Sequence, residues 1–421
     1  MLKNNSQKRI YLDFASETPT SKKVLQEMKK VQSKNYNPSN IYKEGEEAES
    51  VLHEARVRVA RVLGVRDHEI YFALNSSLSI SSAIFGTLNY YKSKNIKNYI
   101  KPHIITSNIE HAAVLENIKY LERAGEIEAS YIACDEFGIL DPIKIKNAIK
   151  ENTILVSIIY ANNELGTIQD IKNISKKIKE WKRGNRRKEN AFPYFHTDAS
   201  QAGNYLSLYI DMLGVDMMSF NGSKIYGPKS SAILFKKESI KISPFYFGGG
   251  QERGLFSGTV DIEKVAGLSV AIEEAQKNIK NEKVLESIAT KRNDLLENIL
   301  KNIPDAKLNG AWNENDWKKE KVGIAREDRI AKRLPNNLSI YLSDFPSDEM
   351  TLRLDQRGFA VSAGSACSAK SDEYSHVIYA ITKSKKVARE TIRVTIDKDT
   401  KEEDLDRFVK VLKEIYYKFR K

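Results

Sequence analysis

One lysine of this chain sits not on a charged face but in a turn of small and hydroxyl residues. It is Lys224, in the run Ser219-Phe220-Asn221-Gly222-Ser223-Lys224-Ile225-Tyr226-Gly227-Pro228-Lys229. Hydroxyls in such a turn suit a phosphate, and an amine held among them can form a Schiff base. Three further segments have a similar character. Phe195-His196-Thr197-Asp198-Ala199-Ser200-Gln201 puts an acid at the end of an apolar run, where it reads equally as a helix cap or as a ligand group. Gly248-Gly249-Gly250-Gln251-Glu252-Arg253, with Ser257-Gly258-Thr259 beyond it, is either a plain glycine turn or a loop whose backbone approaches a ligand. Ser362-Ala363-Gly364-Ser365-Ala366-Cys367-Ser368-Ala369 surrounds a thiol with small residues. Most lone cysteines are buried, inert thiols, but this composition is that of a flexible segment rather than a packed strand. Cys134, in Tyr131-Ile132-Ala133-Cys134, reads as core. No GxGxxG or P-loop pattern occurs, so a dinucleotide or ATP site is not supported.

The elements that must position these groups are legible in outline. From about residue 50 to 260, short apolar runs alternate with helical segments. Glu69–Phe72, Pro102–Thr106, Ile154–Tyr160 and Tyr194–His196 read as strands. Ile154–Tyr160 is apolar on both faces, as a strand covered by helices on both sides must be. Val114, Leu115, Ile118 and Leu121 recur at helical spacing, and Gly125 follows as a stop. The alternation predicts a mostly parallel α/β sheet, whose ligands bind beyond the carboxyl ends of the strands.

After Ile262 comes a long helical stretch, then a strand at Thr391–Ile396 with Arg393 opposite Ile392 and Val394. Thr400 and Glu403 predict a capping box for a final helix with the apolar stripe Leu405, Phe408, Val409, Leu412, Ile415, Tyr416 and Phe419. The expected architecture is a large α/β domain over residues 18–260. Residues 1–17 and 261–421 form a smaller α+β domain carrying the cysteine segment. Two stretches read as surface insertions. Ala311–Arg333 is a mixed-charge loop. Lys176–Lys188 is strongly basic, and is either a solvated helix end or a docking patch for an acidic protein or RNA.

Composition narrows the class. The chain has 421 residues, 41% hydrophobic and 29% charged, which fits an ordinary globular protein of two or three domains. A net charge of +12 is modest over this length and does not demand nucleic acid. Two cysteines exclude a disulfide framework and a four-cysteine zinc site, so a reducing cytoplasm is expected. Met1–Arg9 is polar and basic with no apolar stretch behind it, so no signal peptide is expected. The apolar run at Ile154–Ala161 is far short of a membrane span.

Taken in order, the segments resemble the cysteine desulfurases, the class V branch of the fold-type I enzymes that use pyridoxal 5′-phosphate (PLP). The resemblance runs from Tyr11-Leu12-Asp13-Phe14-Ala15 through Asn37-Pro38-Ser39, Glu110-His111 and Asn162-Asn163-Glu164-Leu165-Gly166. It continues through the Asp198, Lys224, Gly248–Gln251 and Cys367 segments to Thr391-Ile392-Arg393. The resemblance implies that Lys224 carries the Schiff base and shuttles a proton. Asp198 holds the pyridinium nitrogen protonated, Gln201 bonds the ring's phenolic oxygen with Asn163 close by, and His111 stacks on the ring and assists proton transfer. Arg393 clamps the substrate carboxylate through a bidentate pair. Cys367 takes the sulfur of L-cysteine as a persulfide, with release of L-alanine. No metal is implied.

The sequence also departs from the family pattern. The segment usually reading Thr-Ser-Gly-Ala-Thr-Glu-Ser-Asn is here Ala73-Leu74-Asn75-Ser76-Ser77-Leu78-Ser79-Ile80. Ser223 replaces a histidine, Asn221 a serine, Phe256 an arginine and Tyr42 a histidine. The phosphate is then expected on Ser76, Ser77, Asn221 and Ser223, with Thr259 from the partner subunit of a homodimer. A soluble partner accepts the sulfur, for iron–sulfur clusters, thio-cofactors or tRNA. Two alternatives stand beside this reading: another class V lyase, such as a selenocysteine lyase, or a weakly active desulfurase-like scaffold subunit.

Overall fold

The computed structural model describes residues 8–34, 36–94, 100–312, 332–364 and 374–419. Its strands are β1 (Ile10–Tyr11), β2 (Ile70–Ala73), β3 (His103–Ser107), β4 (Glu128–Ile132), β5 (Thr153–Ile159), β6 (Tyr194–Asp198), β7 (Met217–Asn221), β8 (Ala232–Lys236), β9 (Lys307–Leu308), β10 (Asn337–Tyr341), β11 (Phe359–Ala360) and β12 (Thr391–Thr395). The helices of the first half are α1 (Lys22–Val31), α2 (Lys43–Leu63), α3 (Ser76–Lys94), α4 (Ala112–Arg123), α5 (Pro142–Asn147), α6 (Ile171–Gly184) and α7 (Ile210–Leu213). Those of the second half are α8 (Ile262–Lys280), α9 (Glu282–Asn302), α10 (Ser347–Gln356), α11 (His376–Thr382), α12 (Lys385–Arg389) and α13 (Glu402–Phe419).

Seven strands form the main sheet in the order β2-β8-β7-β6-β5-β3-β4. Strands β4, β3, β5, β6 and β7 are parallel, and β8 runs antiparallel to both β7 and β2. The sheet is mostly parallel, as the alternating pattern predicts, and each strand identified from sequence lies within a residue or two of its place. Every residue of β5 is buried, because apolar side chains leave both its faces. Val156 and Ile158 join a core shared with α6 and α8, and Leu155 joins the core under α3 and α4. The chain steps from β3 outward to β4, then returns to β5 on the other side of β3. A crevice therefore opens between the loops after β3 and β5, where such sheets take their ligands.

A smaller antiparallel sheet, β12-β10-β9, is backed by α9, α10 and α13. The other edge of β12 carries two single bridges, Asp13 with Thr395 and Ser362 with Arg393. The N-terminal chain and the chain leading to Cys367 therefore both run beside Arg393. Among the described residues, no helix is long and apolar enough to cross a membrane.

Two sequence expectations need correction, and a third falls mostly outside the described residues. Thr400 does not cap the last helix: its hydroxyl donates to Asp397 Oδ1 at 2.8 Å and accepts from Asp397 N–H, so α13 starts at Glu402 instead. The basic stretch is not uniformly solvated. Lys182 is buried, donating to Glu189 O at 2.8 Å, with Asp216 at 3.9 Å, and the Arg187 guanidinium lies 5.0 Å from the Trp181 ring centre. The segment Ala311–Arg333 is anchored at both ends in the interior, since Ala311 and Arg333 are buried and Arg333 Nε donates to Ala311 O at 2.7 Å. Residues 313–331 between them lie outside the described residues.

The glycine-rich loop is held by a buried ion pair. Glu252 accepts from Arg56 Nη2 at 2.6 Å, from Arg56 Nη1 at 2.9 Å and from the backbone N–H of Phe72 at 2.7 Å. This pins the loop to α2 and to β2, the strand that leads into Ala73–Ser77. Glu252 and Arg253 have φ of 47° and 55°, a left-handed conformation costly for side chains other than glycine. The pair offsets that strain. Replacing Glu252 by Gln is expected to lower stability by about 3–5 kcal/mol, because it strands a buried guanidinium. In urea unfolding, the double variant Arg56→Met/Glu252→Gln should recover most of that loss.

Candidate functional site

The loops beyond β2, β3, β5, β6 and β7 meet around a cavity of about 250 Å³. Ser76 and Ser77 enter from the start of α3, His111 from the start of α4, and Asn163 from beyond β5. Asp198 ends β6 and Ser200 and Gln201 follow it, while Asn221 ends β7 and Lys224 follows it. Arg393 comes from the smaller sheet, and Ala15 and Ser16 from the N-terminal chain.

Lys224 owes its place to close packing, not to a loose turn. A Cβ on Gly222 would lie 2.8 Å from Leu268 Cδ1, and one on Gly227 would lie 2.8 Å from Gly222 O. Both glycines let the turn fold onto α8, and Asn204 Nδ2 fixes it by donating to Lys224 O at 2.8 Å. The amine donates to the Ser16 carbonyl. Burial, followed by the charge of Arg393, holds the Lys224 pKa below that of an ordinary lysine. The amine is therefore more readily neutral and nucleophilic.

Arg393 is almost wholly buried and tied on three sides. Its Nη1 donates to Asn163 O at 3.0 Å, and its Nη2 to Asp13 Oδ1 at 2.8 Å and Ser16 Oγ at 2.6 Å. Both Nη groups are thus engaged, and Nε is the one nitrogen with no partner among the described residues. The bidentate clamp expected from sequence would require one of these contacts to be given up. Asp198, itself buried, accepts from Ser200 N–H at 2.9 Å. Gln201 Nε2 donates to Ala15 O at 2.8 Å. His111 Nδ1 accepts from Ala113 N–H at 3.1 Å at the N-cap of α4, which leaves Nε2 as the protonated nitrogen of the neutral ring.

The phosphate donors expected from sequence divide. Ser76, Ser77 and Asn221 line the cavity at the N-terminus of α3, and Asn221 Nδ2 donates to Ser76 Oγ at 3.2 Å. Ser223 is not on this wall; its carbonyl takes the Thr18 N–H and hydroxyl at 3.0 and 2.9 Å. Thr259 is exposed and lines a different cavity, together with Phe256, Ser257 and Leu74. Cys367 lies outside the described residues, but the chain on either side of it reaches the site. Ser362 exchanges backbone hydrogen bonds with Arg393, and His376 Nε2 lies 3.0 Å from Glu110 O. Ser375 Oγ donates to the buried carboxylate of Glu164. Cys134, expected in the core, is half-buried and packs against it, and burial raises its thiol pKa to about 11.

The wall fits PLP. Hydroxyls, an amide and the positive end of α3 suit a phosphate, a buried carboxylate suits a pyridinium nitrogen, and the desolvated amine suits a carbonyl. Sequence reasoning missed Asp13 and Ser16 as direct partners of Arg393 and Lys224. The polar residues just after the first short strand were the only signal. It also missed the state of Glu110. That carboxyl is fully buried; Oε1 accepts from Ser107 Oγ at 2.5 Å and Ile159 N–H at 2.9 Å, and Oε2 has no partner among the described residues. Burial pushes its pKa up to about 8, with a further contribution from the charge of Asp198.

Comparison with known proteins agrees with this fold. The profile of the Aminotransferase class-V family matches residues 10–408. The cysteine desulfurase IscS of Dictyoglomus turgidum is 35% identical over 414 residues, covering 98% of this chain and 96% of its own. A solved NifS-like protein superposes with a TM-score of 0.83 at 29% identity, covering 98% of this chain and 100% of its own. A structure of SspA in complex with cysteine is 31% identical, with a TM-score of 0.70 over 92% of this chain and 98% of its own.

Glu110 gives a pH signature. A folded pKa near 8 against an unfolded value of 4.5 means that the folded state binds more protons between those limits. Its contribution to stability is complete below pH 4.5 and is lost as pH rises to about 8. Glu110→Gln is expected to remove this falling limb, so the variant gains stability relative to the native protein between pH 5 and 8 in urea titrations at several pH values.

Proposed function

The chain belongs to the class V aminotransferase family, and we propose that it is a PLP-dependent cysteine desulfurase, moving sulfur from L-cysteine onto Cys367 and releasing L-alanine. One observation carries the reading. The buried Arg393 shares a cavity with Lys224, and its backbone pairs with Ser362 on the chain leading to Cys367. An amine for the cofactor, a cation for an α-carboxylate and the approach of a thiol are therefore joined in one place.

Bound PLP supplies an electron-withdrawing ring that stabilises negative charge at the substrate's α-carbon. Asp198 would hold a proton at the ring nitrogen, and its hydrogen bond from Ser200 N–H keeps the carboxylate oriented. The Arg393 guanidinium would meet the substrate carboxylate by giving up one of its present contacts, while Asp13 balances its charge. Lys224 Nζ, which burial makes more readily neutral, would take the proton from the α-carbon, and His111 Nε2 would lend one. The Cys367 thiolate attacks the substrate sulfur. The new S–S bond forms as the C–S bond breaks, the electron pair passes to the β-carbon, which takes a proton, and return of a proton to the α-carbon completes alanine. A free thiol is needed for this step, which agrees with a reducing cytoplasm.

Two copies pair in this reading. Leu74 and Phe247 are 59% and 83% exposed near the cavity that holds Thr259, an apolar surface suited to a partner copy. Thr259 of each copy then reaches the phosphate bound by the other. The persulfide passes to a sulfur-acceptor protein, for iron–sulfur cluster supply. Residues 18–260 act as the cofactor-binding domain, and residues 1–17 and 261–421 as the domain that presents the thiol.

The test is alanine and sulfide production from L-cysteine with added PLP and a thiol reductant. Lys224→Ala is expected to lose at least ~10²-fold in rate, the scale of a positioned acid–base group. Cys367→Ala should lose persulfide and sulfide formation while still taking up PLP. Full activity in Cys367→Ala would sink the persulfide route and point to a lyase.

A further inference from the structure

A second cavity, of about 500 Å³, is bounded by Ile225 and Tyr226, the two residues that follow Lys224, and shares no lining residue with the first. The reaction proposed above uses none of it. One side is apolar, formed by Ala275 of α8 and by Leu285 and Ile288 of α9, all buried. Two phenols, the buried Tyr205 and the half-buried Tyr226, line it as well. Burial, with the charge of Asp397 added, holds both above the ordinary tyrosine pKa. Asp397, just beyond β12, also lines the cavity and is 6% exposed. Its Oδ1 accepts from Thr400 Oγ at 2.8 Å and from Asp399 N–H at 3.0 Å, whereas Oδ2 takes one long bond, from the Tyr226 hydroxyl at 3.3 Å. These partners are all neutral. Lys291 reaches the same loop but donates to the carbonyls of Lys398 and Thr400. Glu274 is paired with Lys23 at 3.0 Å, and the two lining lysines, Lys22 and Lys398, are exposed. Buried carboxylates are ordinarily paired with a cation. A bare metal ion is a poor match, because the described residues hold no group of three or more side chains able to ligate one.

We infer that this cavity is a second binding site, for a small organic cation with an apolar body and an amidinium or guanidinium head. The body lies on Ala275, Leu285 and Ile288, and an N–H of the head donates to Asp397 Oδ2, a charge-assisted hydrogen bond. The two phenol rings beside that carboxylate add attraction for positive charge. The volume suits such a ligand, since small-molecule sites run to about 300–1,000 Å³. An occupant rests against Tyr226, two residues from Lys224, and so touches the turn that positions the amine. The assignment stands on this cavity alone and does not depend on what fills the first.

Benzamidine and benzamide, nearly equal in shape but different in charge, make the test. Each is titrated into the full-length protein by calorimetry. Benzamidine is expected to bind at least ~10-fold more tightly, the scale of one charge-assisted hydrogen bond. Asp397→Asn should erase that preference while leaving benzamide affinity unchanged. Val284→Trp, at a half-buried lining position of α9, should fill the cavity and abolish binding of both probes. If Asp397→Asn does not fold, the comparison of the two probes and Val284→Trp still decide. Equal affinity for the two probes, no binding of benzamidine, a preference that survives Asp397→Asn, or binding that survives Val284→Trp overturns the assignment.

Discussion

Burying a guanidinium costs several kcal/mol unless its hydrogen bonds are met, and Arg393, 2% exposed, imposes that condition on this fold. A carboxylate, a hydroxyl and a carbonyl, from Asp13, Ser16 and Asn163, satisfy the Nη groups. Those three residues come from two segments that have no sequence reason to meet. Once they do, the N-terminal chain lies against the smaller sheet and the loop beyond β5 faces it. Ser16 also accepts from Lys224, so one backbone-and-side-chain position connects both cations of the site. The charge of Arg393 in turn helps keep the Lys224 amine easier to deprotonate. Structural and chemical demands therefore fall on the same few atoms.

The phosphate end of the cavity shows how substitutions can be absorbed. Phe256, where the family has an arginine, is 3% exposed and packs in the apolar cluster with Leu255 and Tyr246. The position has become part of the hydrophobic interior and cannot contribute a charge. What this end of the cavity offers is neutral: two serine hydroxyls, an amide and the first turn of α3. Hydrogen bonds to neutral donors are individually weaker than those from an arginine, so the number and placement of such donors matter more here.

Much of this was legible in the sequence because it is written in local patterns. Alternating apolar runs located β3, β5 and β6, and the residues just beyond β6 and β7 pointed to Asp198 and Lys224. What was not legible depends on partners far along the chain. Thr400 looks like a cap, yet its hydroxyl is taken by Asp397, an equally local competitor that pattern matching does not rank. Lys182 reads as a surface cation in a basic run, yet folding encloses it beside Asp216. The buried Ser200 Oγ and Glu110 Oε2, without partners among the described residues, have no signature in residue order. They exist only when the ends of several strands are brought together.

The contact between Arg393 and Asp13 spans 380 positions of the chain. A protein emerging N-terminus first offers Asp13 and Ser16 to the solvent at the very start of synthesis, while β12 leaves the ribosome almost last. The main sheet, complete by Lys236, can form well before then, with Lys224 and Asp198 already at its edge. The wall of the cavity that Arg393 forms closes only with the final strand. The cavity is thus among the last features this chain completes during its synthesis, and an interrupted chain carries Lys224 without the guanidinium that shares its cavity.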